Sequence, residues 1–131
     1  MKLLPRLIKD TILVAFGHVD VKNNYQIQEG MKEVEAEVWT DTGLAIHVYN
    51  DSMGIGKWRV THVPSGRSIL RHIDNRIDAI YYMLKIKEWE TAEGLNIDWA
   101  MSEQKFKSMY NREEVVQMLY ILQKEISGER R

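Results

Sequence analysis

Between residues 33 and 73 apolar and polar side chains alternate along the chain, and turn residues break the alternation at short, regular intervals. Successive side chains of a strand point to opposite faces, so this pattern predicts antiparallel strands joined by tight turns. Lys32-Glu33-Val34-Glu35-Ala36-Glu37-Val38 alternates charge with apolar groups, and Asp41-Thr42-Gly43 supplies a turn whose glycine can take positive φ. Leu44 to Tyr49 makes the next strand and Asp51 to Gly56 a longer loop. Lys57 to Val63 and Arg67 to Ile73 then flank a tight Pro64-Ser65-Gly66 turn. Thr11 to Val21 adds a further strand. A helix is the alternative at that end, because Leu3, Leu4, Leu7 and Ile8 also fit helical spacing.

After position 74 the period changes. Asn75 can cap a helix over about 75–93, with Asp78 three residues on and Glu93-Gly94 at its end. Ile77, Ile80, Tyr81 and Leu84 form its first apolar stripe; Ala79, Tyr82, Met83 and Ile86 carry apolar character almost round the helix. Asn111 and Glu114 have the spacing of a capping box that opens a second helix over about 111–127. That helix has one apolar face at Val115, Met118, Leu119 and Leu122 and another at Val116 and Tyr120. The second face predicts a homo-dimer or higher homo-oligomer. The expected fold is α+β: an N-terminal antiparallel β-meander of four to five strands, about 11–73, packed with two C-terminal helices. With 131 residues, 44% apolar, and no linker or repeat, residues 1–131 form one domain.

Strand pairing gives an expected face assignment. A three-residue turn at 64–66 sets Thr61 opposite Ile69, Val60 opposite Leu70 and Arg59 opposite Arg71, while the longer loop sets Val48 near Arg59 and Ile46 near Thr61. One face then collects Val34, Ala36, Val38, Ile46, Val48, Thr61, Ile69 and Ile73. The other collects Glu35, Glu37, Trp39, His47, Tyr49, Trp58, His62 and His72. A slip of one residue exchanges the faces. As assigned, Arg59 and Arg71 share the core side, where two guanidinium groups need anions or the rim of a pocket.

Charge is segregated although the formal net charge is only −1. Residues 20–41 sum to −4, residues 57–87 to +5 and residues 88–103 to −5. A basic middle fenced by acidic segments suits a compact anion better than a long polyanion; a solvated surface with alternating charge is the plain alternative. The absence of cysteine excludes disulfides and every thiol-based metal, redox or nucleophilic mechanism. The longest apolar run, Ile12 to Phe16, is far too short for a membrane span. Arg6, Lys9 and Asp10 interrupt what would be a secretory signal, so the expected location is cytoplasmic, with no membrane partner.

Several constellations could carry chemistry. Glu35 and Glu37 share a strand face, but alternating glutamates are ordinarily solvated. His47, His62 and His72 could hold a metal only if they converge; without such a motif no metal and no cofactor is expected. Met53-Gly54-Ile55-Gly56-Lys57 lacks the ending of a phosphate loop and joins two strands. No catalytic residues are assigned, and the chain reads as a non-enzyme. Arginines with aromatics remain: Arg59, Arg67 and Arg71 in the meander, Tyr110 and Arg112 at a helix start, and Asn96 with Trp99 in the inter-helix loop. Arginine holds phosphates, an aromatic ring stacks on a base, and asparagine reads a purine edge. The expected ligand set is Arg59, Arg71, Asn96, Trp99, Tyr110 and Arg112, around a small nucleotide.

The order of elements over residues 33–127, with Arg59 in a middle strand, Asn96 between helices and Arg112 opening the last helix, resembles the anti-Thoeris sponge proteins of bacteriophages. That resemblance implies a sheet with two C-terminal helices, dimers that assemble further, and sequestration of cyclic ADP-ribose-type signals or cyclic oligonucleotides without turnover. Which aromatic stacks on the base stays open among Trp99, Tyr82 and Tyr110. Three rival functions stand beside it. They are a single-stranded nucleic-acid binder using Trp39, Tyr49 and Trp58, a protein inhibitor using the acidic 88–103 segment, and a small nucleotide hydrolase.

Overall fold

The computed structural model describes residues 5–20, 26–49, 56–92 and 94–128. Five antiparallel strands form one sheet in the order of the chain: β1 (Leu7–Asp20), β2 (Gln26–Trp39), β3 (Leu44–Tyr49), β4 (Lys57–His62) and β5 (Arg67–Ile73). Three helices follow: α1 (Arg76–Lys87), continued by a 3₁₀ turn to Thr91, then α2 (Glu103–Met109) and α3 (Glu113–Ile126). The α+β class and the meander are as expected. The N-terminal segment is strand from Leu7 onward, so the helical alternative fails at Leu7 and Ile8; Leu3 and Leu4 lie outside the described residues. β2 begins at Gln26, seven residues ahead of the alternation that signals it. The expected loop over 51–56 lies outside the described residues except for Gly56, and Glu93 lies outside them too.

The strand register differs from the expected one by a residue. Ile46 pairs with Val60 and His47 with Arg59, whereas the sequence set Ile46 near Thr61 and Val48 near Arg59. On the other side of β3, Val38 pairs with Ala45 and Trp39 with Leu44. The faces are therefore sorted differently. Leu44, Ile46, Val60, Leu70 and Ile73 turn toward the helices, in one core with Ala79, Met83, Ile86, Trp99, Phe106 and Val115. Val34, Ala36 and Val38 turn the opposite way and join Ile12, Val14 and Ala45 in a separate small cluster. Thr61 leaves the helix face as well, and His62 takes its place, stacked on Phe106 with ring centroids 4.2 Å apart. His62 Nε2–H donates to Met101 O, and its Nδ1 accepts from Ser65 Oγ.

Asn75 caps α1 as expected, its side chain accepting from Asp78 N–H. The buried stripe, however, is Ala79, Tyr82, Met83 and Ile86, while Ile77 is 75% exposed. A helix apolar nearly all round gives the periodicity no single face to choose. The cap of α3 is Arg112 rather than Asn111, and its side chain makes no capping bond. Val115, Leu119 and Leu122 bury the inner face of α3 as expected, leaving Tyr120 59% exposed. α2 was not foreseen; Ser102 caps it, and it buries Phe106 and Met109.

Two turns fix the outline. Gly43 has φ +80°, and a Cβ there would lie 2.1 Å from Trp99 O, so the β2–β3 turn sits directly on the inter-helix loop. Gly66 has φ +70°, and a Cβ there would meet Leu13 O at 2.5 Å. Its own carbonyl accepts from Ala15 N–H at 2.7 Å. The long β1–β2 hairpin thus arches over the sheet and touches the β4–β5 turn. Between hairpin and sheet it encloses a space on the side away from the helices. Among the described residues, no helix is long and apolar enough to cross a membrane.

Candidate functional site

The arching hairpin leaves an open cleft of about 1790 Å³ against β3, β4 and β5. Its floor is set by alternation. Ala45, His47 and Tyr49 of β3 pair beside Thr61, Arg59 and Lys57 of β4, all on the face that the helices do not cover.

β5 contributes more than alternation allows, because it is bulged twice. Trp58 pairs with Ile73 and Val60 with Leu70, so Arg59 lies opposite two residues, Arg71 and His72. His72 takes up the extra length in the left-handed region at φ +63°, and both residues line the cleft. A bulge re-aims side chains in this way by inserting one residue into the ladder. The second bulge leaves Ile69 between the Val60–Leu70 and Thr61–Ser68 pairs, and Ile69 and Leu70 are both buried in the helix-side core.

The polar groups of the cleft are interlocked. The Arg59 guanidinium lies over the Tyr49 ring, 3.6 Å from its centroid, and donates to Ser68 Oγ at 3.2 Å. The Tyr49 hydroxyl donates to His72 Nδ1 or accepts from it at 2.8 Å. His47, 2% exposed, sits deeper. Its Nδ1 is 3.2 Å from Val48 O, which can only accept, so Nδ1 carries the proton and Nε2 accepts from the Thr61 hydroxyl at 2.8 Å. Burial lowers the His47 pKa against the raising pull of the Val48 carbonyl; the charges of Arg59 and Lys32 lower it further. His47 is therefore neutral at pH 7. A hydroxyl bonded to an imidazole is the geometry of an activated nucleophile. Thr61 is only 1% exposed and does not line the cleft, so the pair is a satisfied polar element of the floor.

Electrostatically the cleft is basic. Lys9, Lys32, Arg59, Arg67 and Arg71 line it against Asp10, Glu35 and Glu37. The Glu37 carboxylate is bound in bidentate fashion by Arg76 at 2.6 and 2.7 Å; that bond holds its pKa below the usual carboxylate range. Arg67 Nε is buried with no hydrogen-bond partner among the described residues. A buried donor without an acceptor is costly, and an anion in the cleft would relieve it. Tyr110, from the turn after α2, closes the same end. Burial pushes its hydroxyl above the ordinary phenol range, opposed by the positive charges of Arg71 and Arg67.

The residues expected from the sequence divide three ways. Arg59, Arg71 and Tyr110 meet in this cleft. Asn96 and Arg112 line a second, shallow pocket of about 260 Å³, where Arg112 is bound to Glu114 at 2.8 Å and Asn96 sits in a turn at φ +51°. Trp99 is fully buried and its indole N–H donates to Ile86 O at 2.7 Å, so core side chains take up its ring and no base can stack there. Sequence reasoning groups Arg67 with the other meander arginines yet omits it from the ligand set; it weighs His47 and His72 only as metal ligands and misses Ser68. His47 and His72 line the cleft while His62 lies under the helices, so the three imidazoles do not converge. No metal-binding group of three is present among the described residues. Nor do Trp39, Tyr49 and Trp58 form one platform. The two tryptophans pack against the helix-side core, and Tyr49 lies on the opposite face. Comparisons with protein-family models, with curated proteins and with solved structures give no match to this chain.

Proposed function

We propose that the protein binds a small, phosphorylated, nucleotide-type ligand in the basic cleft. It would hold that ligand without turnover, sequestering a signal in the manner of the anti-Thoeris sponges its element order resembles. The observation that carries this reading is that Arg59, Arg67, Arg71 and Tyr110 line one cleft, with a buried Arg67 Nε that lacks an acceptor among the described residues. Arginine forks bind phosphate oxygens in pairs, and partial exclusion of water strengthens each contact. Tyr110, the open aromatic candidate that lines this cleft, would meet a base or ribose. Asn96 and Arg112, in the separate pocket, drop out of this site. A sponge acts by mass action, so it works only in stoichiometric amounts. Self-association through the exposed Val116, Tyr120 and Ile121 of α3 belongs to the same reading, and sedimentation would show it as a mass above 15.4 kDa.

A thermal-shift screen against cyclic ADP-ribose isomers, cyclic di- and trinucleotides and a short oligonucleotide tests the proposal. A ligand at one hundred times its Kd adds about 2.7 kcal/mol of stability, a rise of several degrees for a domain of this size. The expected result is a rise with one small nucleotide, recovered intact and lost in Arg67→Ala. A rise with the oligonucleotide alone, or chemical conversion of the ligand, would sink the sponge reading in favour of a nucleic-acid binder or a hydrolase.

A further inference from the structure

β5 is an edge strand of the sheet, and at an edge the outward N–H and C=O groups are ordinarily left to solvent. At Arg71 they are not. Gln123, in the last third of α3, presents its carboxamide to that residue. Arg71 N–H donates to Gln123 Oε1 at 3.0 Å, and Gln123 Nε2 donates to Arg71 O at 2.7 Å. One side chain thus makes both bonds that a neighbouring strand would make. The place is not arbitrary. Arg71 is the first of the two residues opposite Arg59, and His72 beside it holds the left-handed conformation, in which a non-glycine residue is strained. Without support, such a bulge could relax and return the chain to simple alternation, which would carry the Arg71 side chain away from the cleft. On the other flank, Tyr49 holds His72 through its hydroxyl.

We propose that Gln123 is a positioning residue of the anion site: by clamping the Arg71 backbone from the sheet edge it fixes the bulge that aims the Arg71 guanidinium into the cleft. The proposal rests on the reading of the cleft as an anion site. Among the described residues the hydrogen bonds of the Gln123 side chain go to the Arg71 backbone, and Gln123 does not line the cleft. Its whole effect on binding must therefore pass through Arg71, and a double-mutant cycle isolates that dependence.

The experiment is calorimetric titration of the full chain with inorganic pyrophosphate, for the unmutated protein, Arg71→Ala, Gln123→Met and the double variant. Methionine keeps the length of the side chain and removes both bonds. The expected result is a roughly tenfold loss of affinity in each single variant, within the range of coupled neighbours, and no further loss in the double variant. An equal further loss from Gln123→Met in the Arg71→Ala background would overturn the positioning role, since the residue would then act on the cleft generally. Weakening by Arg71→Ala with none by Gln123→Met would overturn it too, while leaving the anion site standing. No binding by the unmutated protein, or binding indifferent to Arg71→Ala, would remove the anion site and the proposal together. If Gln123→Met does not fold, Gln123→Glu keeps the acceptor for Arg71 N–H and loses only the donor, and the same cycle applies to it.

Discussion

The two faces of the sheet are built from neighbouring residues of the same strands, yet they solve opposite problems. Toward the helices, Leu44, Ile46, Val60, Leu70 and Ile73 meet α1, α2 and α3 in a continuous apolar core. Toward the hairpin, Ala36, Ala45 and Val14 make a thin apolar patch, and the remaining positions go to His47, Thr61, Arg59 and Ser68. Each fully buried aliphatic side chain on the first face contributes about 1.5–3 kcal/mol. The second face offers few such side chains and many hydrogen-bonding groups. Stability therefore resides on the helix side, and the hairpin side is left open to chemistry that stability does not require.

The comparison can be broken most forcefully at Trp99. This side chain fills the helix-side core and bonds Ile86 O, so Trp99→Ala should cost about 3–5 kcal/mol, measured by denaturant unfolding. A loss below about 1 kcal/mol would mean that the helix side is not the principal core. Acid probes both faces at once. His47 on one and His62 on the other have pKa values lowered chiefly by burial, so the unfolded chain binds protons that the folded chain refuses. Stability is then fully present above the unfolded histidine value of about 6.5 and falls as pH drops below it. The slope reaches about 1.4 kcal/mol per pH unit for each imidazole. His62→Gln should flatten that slope. A melting temperature constant from pH 7.5 down to pH 5 would contradict the burial of both rings. The smallest effect is expected at Arg67. Arg67→Ala should leave stability unchanged or raise it slightly, because it removes a buried donor without an acceptor among the described residues, while it abolishes the ligand-induced rise. Marked destabilisation in this variant would make Arg67 a structural residue and erase the division between the faces.

What the sequence made legible follows the same division. Turn chemistry and alternation located β3, β4 and β5, and the Asn75–Asp78 pair located the start of α1, because these are local signals. Register is not local. The one-residue slip between the expected and observed pairing of β3 with β4 moved Thr61 and His62 to faces opposite those assigned. Arg59 and Arg71 came out together as expected, but on the face away from the helices and not on the core side, because the bulge opposite Arg59 brings Arg71 to it. Neither bulge could be read from composition, since His72 is not a glycine and nothing around it marks a break. Trp99 illustrates the reverse error. A tryptophan in this loop reads either as a stacking group or as a core plug, and its complete burial, with the indole bonded to Ile86 O, decides for the plug. Arg67 sits immediately after a turn, where a charged residue is unremarkable until the hairpin folds over it.

The contact of Ala15 with Gly66 has a consequence for how the molecule is assembled in time. It joins positions about fifty residues apart, whereas the β2–β3 and β4–β5 turns join near neighbours, and closing so long a loop is entropically slower and later. The β3–β5 meander can therefore form first. The packing of α3 on β5, which joins Arg71 to Gln123 across 52 residues, is a later event, as is the docking of the hairpin across the meander. The cleft exists only after that event. The recovery of anion binding during refolding would accordingly trail the formation of strand structure, and the lag between the two signals would measure the closing of the arch.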